Sequence, residues 1–327
     1  MENPIYLPVQ TAEDFVLQVF MKSGVPREDA LICTHILLAA DLRGIESHGL
    51  SRLKMYYDRI KAGIQSPLTQ IEIIRDGPTT AVWDAHHGMG QVVGWRAMNT
   101  VIEKARHYGM GSVAVRNSTH YGIAGYYPLM AVAQGMIGWS VTNTRPSVAP
   151  TFGSKPMLGT NPIAFGAPTD EACPYLFDAA TSIIQRGKVE IHARKEKNLP
   201  EGWVIDQDGQ PASDPHQILQ GLIRDENALL PLGGAGEDFG GHKGYGLSNI
   251  VEILSASLQS GAFLHGLTGG DTSGKPQPYR IGHFFMAMDI EQYLPLDEFK
   301  HNIGDLLREL RNSKKAQGHD RIYLAGE

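Results

Sequence analysis

Cysteine is nearly absent: Cys33 and Cys173 are the only two in 327 residues, far apart and in no metal-type spacing. A disulfide framework is therefore not expected, and a reducing, cytoplasmic setting is. No window approaches the roughly 18 uninterrupted apolar residues that a bilayer-spanning helix needs, so no membrane association is expected. The opening "MENPIYLPVQ" has neither the basic start nor the apolar run of a secretory signal. Charge is also sparse. Asp, Glu, Lys and Arg make up 20% of the chain and the formal net charge is -6, which gives nucleic acid no electrostatic footing.

Familiar motifs are missing as well. The dinucleotide fingerprint G-x-G-x-x-G does not occur; its nearest approach, "GMGQVVG" with Gly88, Gly90 and Gly94, is one residue too long. No βαβ unit is expected around it, so it reads as a turn and helix start. "GGAGEDFGGHKGYG" lacks the GK[ST] ending of a P-loop. No HExxH, CxxC or G-x-S-x-G pattern occurs, and no metal site is expected.

What is present is a 42% hydrophobic chain with 37 glycines and 13 histidines, enough for a large core. Thr11 followed by Asp14 resembles a capping box, predicting a first helix that ends at Gly24 and Pro26. A second helix is expected over 29–42 and another over 92–107. From residue 109 the character changes: "GSVAVRNST", "GMIGWSVTN", "NPIAFGAP" and "PYLFDAAT" are short β-type runs. Few crossover helices separate them, which predicts a largely antiparallel or mixed sheet rather than a doubly wound one. "GYGLSNIVEILSASLQSGAF" is the strongest helix, with Leu247, Ile250, Val251, Leu254 and Leu258 as its apolar stripe. The division expected is a helical part over 1–108, a β-rich domain over 109–290 that includes a helix over 244–263, and a C-terminal helix in 291–327 packing back on the N-terminal part.

The chemistry concentrates in "RGIESHGLSRLKMYY". His48 sits beside Gly49, and Arg52 follows one helical turn later. A guanidinium that clamps a carboxylate and an imidazole that moves a hydroxyl proton are what a 2-hydroxy or 2-keto acid needs. The same residues also fit a plain helix start with a surface His and Arg. "NSTHYGIAGYY" offers His120 at a strand end in a Gly-rich turn, either a loop-borne catalytic group or a turn histidine bonded to backbone. "SVTNTRP", with Thr144, and "LGTNPIAFGAP" place amide and hydroxyl donors at strand ends. "FDAATS" brings Asp178 with small neighbours, and Lys243 in "GGHKGYGLS" stands at a helix N-terminus that would favour phosphate. His35, His86, His87 and His265 read as structural or surface histidines.

Taken in order, "ADLRGIESHGLSRL", "NSTHYGIAGYY", "LGTNPIAFGAP", "FDAATS", "GGHKGYGLSNIVEILSASLQSGAF" and "GHFFMAMD" resemble the type-2 malate/L-lactate dehydrogenase family over almost the whole chain. That family also holds ureidoglycolate and sulfolactate dehydrogenases, diketogulonate reductase and a piperideine-2-carboxylate reductase. The resemblance implies an α/β (α+β-like), non-Rossmann NAD(P)-binding fold with a large, mainly antiparallel sheet and a helical domain built from both chain ends. It also implies a homodimer and reversible hydride transfer between NAD or NADP and a small 2-hydroxy or 2-keto acid of malate or lactate type; it does not choose between the two cofactors, and NAD is the one expected here. The alternatives are ureidoglycolate or sulfolactate oxidation, reduction of a cyclic 2-imino acid, or an inactive metabolite-binding relative.

By the resemblance, the acid/base histidine is His48 or His120. Arg52 takes the substrate carboxylate, with Tyr56 and Thr144 on the substrate side. The cofactor positions are Asn161, Asp178, Ala179, Ala180, Thr181, Ser182, His242, Lys243, Gly244, Gly326 and Glu327. "GLTGGDTSGKPQPYRIGHFF" carries its own loop sequence, so substrate preference cannot be copied from a relative.

Overall fold

A computed structural model describes residues 7–269 and 276–327; part of the loop just named, 270–275, lies outside the described residues. The N-terminal lobe is built from α1 (Val9–Lys22), α2 (Arg27–Asp41) and α3 (Leu53–Lys61). Val16, Phe20, Cys33, Leu37, Leu53 and Tyr56 form its core. The expected capping box is not used: α1 starts directly after Pro8, and Asp14 accepts a hydrogen bond from Gln10 instead. Proline at the cap position already sets the entry dihedral without a side-chain acceptor.

Next come β1 (Glu72–Asp76), β2 (Thr80–Asp84), α4 (Gly90–Tyr108) and β3 (Met110–Ser118). They are followed by α5 (Tyr126–Val132), β4 (Met136–Thr142), β5 (Ile163–Ala167) and β6 (Tyr175–Ala179). A small lobe holds α6 (Arg186–Arg194), β7 (Val204–Asp206), α7 (Pro215–Arg224) and β8 (Asn227–Leu229). The chain closes with α8 (Gly241–Ser255), β9 (Ile281–Asp289) and α9 (Leu296–Asn312).

The large sheet has seven strands in the order β1-β2-β3-β9-β4-β5-β6, antiparallel except for β2 against β3. This agrees with the mixed, mainly antiparallel sheet expected. The exception corrects one reading: β2, α4 and β3 form a βαβ unit, with "GMGQVVG" at its strand-to-helix turn. Even so, the turn is not open to a phosphate. The Gly90 amide donates to Thr119 Oγ1 at 2.9 Å, and a Cβ at Gly90 would overlap the carbonyls of Thr119 and His120. The chain after β3 therefore plugs the N-terminus of α4.

Pairing of β2 with β3 also runs the sheet across the expected boundary at 108/109. The strongest helix, expected over 244–263, spans Gly241–Ser255, and a separate short 3-10 turn takes Ser257–Gln259. Its stripe is split: Val251 is buried against the sheet, while Leu247, Ile250 and Leu258 are exposed. Helix α9 was expected to pack on the N-terminal part, but its ion pairs run to the turn after β5. Arg308 binds Asp170 and Arg311 binds Glu171, at 2.8 and 2.7 Å. On the same helix Leu307 is buried.

Helices α4 and α5 cover one face of the sheet and α8 the other, giving three layers. The central strand β9 meets α8 closely. A Cβ at Gly282 would overlap the Ser255 carbonyl, and the Gly282 backbone is bonded on both sides to Asn143. Gly282→Ala should therefore lower stability by about 1–3 kcal/mol through overpacking, read as a fall in the urea midpoint at unchanged m-value.

Candidate active site

One glycine and a carboxylate set the first wall of the site. Asp41, at the end of α2, accepts from the Leu50 amide at 2.7 Å, and a Cβ at Gly49 would overlap that carboxylate. The "SHG" loop is thus folded tightly against α2, with His48 projecting from it. Arg52 anchors the same loop by donating from Nε to the Ser47 carbonyl at 2.5 Å. The second wall is the segment after β3. Thr119 is fully buried and donates its hydroxyl to Gly88 O at 2.8 Å, which holds His120 on a rigid base.

Between these walls lies a cleft of about 360 Å³ bordered by His48, Arg52, Arg59, His120, Thr144 and Asp178. The two histidine rings stack with centroids 5.5 Å apart and planes 22° apart. Each is oriented through Nδ1: His48 bonds Ser47 Oγ at 2.8 Å and His120 bonds Tyr56 Oη at 2.6 Å. The Gly122 amide also points at His120 Nδ1 from 3.4 Å. An amide can only donate, so this contact favours the tautomer with the proton on Nε2.

Both rings are held neutral. Burial, then the charge of Arg52, lowers His48 to about 4. Burial also pushes His120 well below the usual histidine range, with His48, Arg59 and Arg52 adding to the effect. Burial raises the Tyr56 phenol, which stays protonated.

A third histidine forms the floor. His283 on β9 is fully buried and sandwiched between Thr142 Oγ1 and Ser118 Oγ, each 2.8 Å away. The Thr142 hydroxyl is directed at the carbonyls of Gly282 and Asn143, so His283 Nδ1 donates and Nε2 accepts from Ser118. Burial depresses it to about 3. Tyr121, next to His120, stacks on it at 4.6 Å with an interplanar angle of 1°, so the floor is rigid and uncharged.

The structure brings together His48, Arg52, His120, Thr144 and Asp178 on the cleft, with Tyr56 buried behind His120 rather than facing into it. Thr144 Oγ1 accepts from the Thr160 amide at 3.1 Å. Asp178 lies on the solvent-accessible edge. The protein around it raises its carboxyl to about 6, against the opposing bond from the Gly125 amide at 2.7 Å.

The other expected cofactor residues stand apart from this cleft's lining. Asn161, Thr181 and Ser182 are buried with their side chains engaged internally. Asn161 bonds the Thr144 amide and Ser248, Thr181 bonds the carbonyls of Thr160 and Asn161, and Ser182 bonds that of Ile184. Ala179 and Ala180 are half-buried beyond Asp178. His242 and Lys243 are exposed in the first turn of α8, and Gly244 is packed on the Leu232 backbone. Gly326 lies on the edge of β6, and Glu327 is held by Arg311 and Arg321 at 2.8 and 3.0 Å.

Several cleft residues escaped the sequence reading. Arg59 is seven residues after Arg52, two helical turns along the same face of α3. That spacing was the available signal. Arg145, Arg186 and Tyr279 also line the cleft, brought in from distant segments without local warning.

Among the described residues no helix is long and apolar enough to cross a membrane, and no cluster of His, Cys, Asp or Glu could hold a metal ion. A family model for malate/L-lactate dehydrogenase matches residues 7–327. The chain is 47% identical to the malate dehydrogenase of Pyrococcus horikoshii, over all of this chain and 88% of that protein. It is 40% identical to the L-sulfolactate dehydrogenase of Methanocaldococcus jannaschii, over 98% of this chain and 88% of that one. The solved malate dehydrogenase of Entamoeba histolytica superposes with a TM-score of 0.96 at 46% identity, covering 99% of this chain and 90% of the other. The chain belongs to the malate/L-lactate dehydrogenase family and is an oxidoreductase of that family.

Proposed function

We propose that this cleft oxidises a small 2-hydroxy acid and reduces the matching 2-keto acid, with NAD or NADP as hydride partner. The observation that carries the reading is the stacked His48–His120 pair, backed by Tyr56 and facing Arg52 across one cavity. Arg52 is free to turn its outer nitrogens on a carboxylate, since among the described residues only its Nε is engaged, by Ser47. His120 is the better proton carrier of the two, because its loop is pinned at Thr119 and its Nδ1 is held by the buried Tyr56 hydroxyl. That phenol can donate to Nδ1 or accept from it, so the ring nitrogen on the cleft side can present either a proton or a lone pair. His48 then packs on one face of His120 and fixes its plane.

The dinucleotide fits the opposite side of the cleft. Asn143, Thr144, Thr160 and Asp178 border the cleft, and in this reading the Asp178 carboxylate takes a ribose hydroxyl. When bound, the nicotinamide supplies and accepts the hydride; the protein contributes orientation and proton movement. The buried Cys33 and unpaired Cys173 suit a reducing, cytoplasmic compartment. The exposed apolar residues Leu247 and Ile250 of α8, with Leu258 in the 3-10 turn after it, suit a homodimer contact.

The test is an assay of reduced-cofactor absorbance that crosses NADH and NADPH with pyruvate, oxaloacetate, a bulkier 2-keto acid and a cyclic imino acid. Consumption with at least one keto acid supports the reading. Consumption with the imino acid alone makes the protein an imine reductase using the same clamp, and no consumption at all removes the proposal.

A further inference from the structure

His283 is an expensive choice for its position. It is fully buried in the central strand β9, on the sheet face that Val113, Val115, Tyr121, Tyr127 and Phe285 make apolar. An apolar side chain of similar shape would fill that space with no polar group to desolvate. The imidazole is tolerated because both of its nitrogens are bonded, one to Thr142 Oγ1 and one to Ser118 Oγ, each at 2.8 Å.

Those partners mark two strand ends. Ser118 closes β3 and Thr142 closes β4, the neighbours of β9 on either side. Two residues past Ser118 stands His120, and two past Thr142 stands Thr144, both on the cleft. Thr142 sits opposite His283 in regular register, whereas Ser118 reaches the ring only through a bulge. Val115 pairs with His283, and Ser118 rather than Asn117 pairs with Ile281, so β3 carries one extra residue. Asn117 absorbs it at φ 53°, its amide held by Asp84 at 2.8 Å. Without that extra residue the Ser118 side chain would point to the other face of the sheet. A bulge and a buried polar ring serve one bridge.

Resting on the hydride-transfer reading above, we infer that His283 is a positioning residue: by bridging Ser118 to Thr142 it fixes the separation between His120 and the cofactor-side strand end at Thr144. The ring suits the task. It is bonded at both nitrogens and stacked on Tyr121, and a fully satisfied buried network of this kind is stiff. On the cofactor side the strand end is tied again, since the Gly282 amide donates to Asn143 Oδ1 at 2.8 Å and the Asn143 amide donates to the Gly282 carbonyl at 3.3 Å. Arg52 stands on a different segment, so the grip on the acid does not pass through His283. Loosening the bridge should therefore disturb the alignment of proton and hydride transfer and leave binding nearly intact.

The experiment uses His283→Phe, His283→Gln and Ser118→Ala beside wild type. It measures the melting temperature, the dissociation constant of NADH by fluorescence titration, and kcat and KM for the keto acid that wild type reduces. Each rate is repeated with NADH deuterated at both C4 positions; NADPH replaces NADH throughout if wild type takes only that. In His283→Phe the ring remains but the bridge is lost. Its kcat should fall about 10- to 100-fold, since a misplacement of about 1 Å has that effect, and its deuterium isotope effect should rise as hydride transfer becomes the slow step. The NADH dissociation constant and the KM for the acid should stay within about 3-fold of wild type, given that one ring is lost far from Arg52. An amide has both a donor and an acceptor, so His283→Gln should recover part of kcat. Ser118→Ala, which cuts one side of the bridge and leaves the ring in place, should shift kcat and the isotope effect in the same direction by less. This variant carries the test if His283→Phe does not fold.

A lower melting temperature with kcat and the isotope effect unchanged makes His283 a packing residue and overturns the inference. So does a weakened NADH dissociation constant with kcat intact at saturation, or a phenylalanine variant that turns over as well as the glutamine one. All three leave the hydride-transfer reading standing. No turnover in wild type removes that reading, and the inference with it.

Discussion

His120→Ala is expected to lower kcat for 2-keto acid reduction by about 10²- to 10⁴-fold, the usual share of a positioned general acid or base, with the substrate KM changed far less. The ring that disappears is held by the Tyr56 hydroxyl at 2.6 Å and by a loop whose threonine is buried, so water entering the space gains no comparable alignment. His48→Gln should behave differently. Burial is the largest cause that depresses His120, and the stacked His48 ring covers one of its faces, so a smaller polar side chain there lets water in and should raise the His120 pKa. In the reducing direction the proton donor is the imidazolium, and the rate falls as pH rises through that pKa. The falling limb of the kcat/KM profile should therefore move to higher pH in His48→Gln. In the oxidising direction the neutral ring is needed, and the rising limb should move the same way. A His48 variant that loses turnover while His120→Ala keeps it would reverse the two roles.

Both rings are strongly held in the neutral form. Burial is the larger cause and the charge of Arg52 adds to it, so a carboxylate placed on Arg52 offsets that added share, and substrate and proton should bind together. The keto acid brings in part of the charge that makes its own proton donor available.

Arg52→Lys should raise the KM for the acid and lower kcat/KM about 10- to 100-fold, since charge-assisted bonds of this kind contribute about 1.5–3 kcal/mol. The reason is a shortage of donors. Arg52 spends Nε on the Ser47 carbonyl, holding the His48 loop, and keeps its two outer nitrogens for a ligand. Nη2 extends toward Gly187, where the missing side chain leaves room beside it. A lysine has one nitrogen and must either hold the loop or bind the substrate. Steady-state kinetics at fixed cofactor concentration separates this from a folding defect, because kcat at saturating acid should recover further than kcat/KM. An unchanged KM would take Arg52 out of the clamp.

Much of this site was legible because it is local. His48, Arg52 and Tyr56 lie in one short segment, so they were found together, although His48 sits on a turn before the helical run starts at Leu50 and it is nearness in sequence, not helical spacing, that joins them. The mainly antiparallel sheet was legible from short β runs with few crossover helices. The βαβ unit of β2, α4 and β3 was not, since parallel pairing leaves no mark on strands this short. What stayed hidden depends on distant chain: Tyr279 over Arg59, Arg145 and Arg186 on the cleft, and His283 beneath Tyr121. The buried role of Asn161 was equally hidden. Its sequence context reads as a ligand donor, yet its amide ties Thr144 to Ser248. A polar residue at a strand end serves ligand and backbone equally well until its neighbours are known.

The place of β9 in the sheet bears on how the protein comes into being. This strand, at residues 281–289, lies between β3 and β4, which leave synthesis far earlier. Until it arrives, two three-stranded pieces face each other with bare edges, the situation that invites wrong pairing and aggregation. Its insertion closes contacts that span about half the chain, a slow kind of step. The same strand carries Gly282 and His283, which complete the floor beneath Tyr121, the cleft residue next to His120. A nascent or misfolded chain lacking this last closure has no working site, so turnover reports that the sheet has been finished.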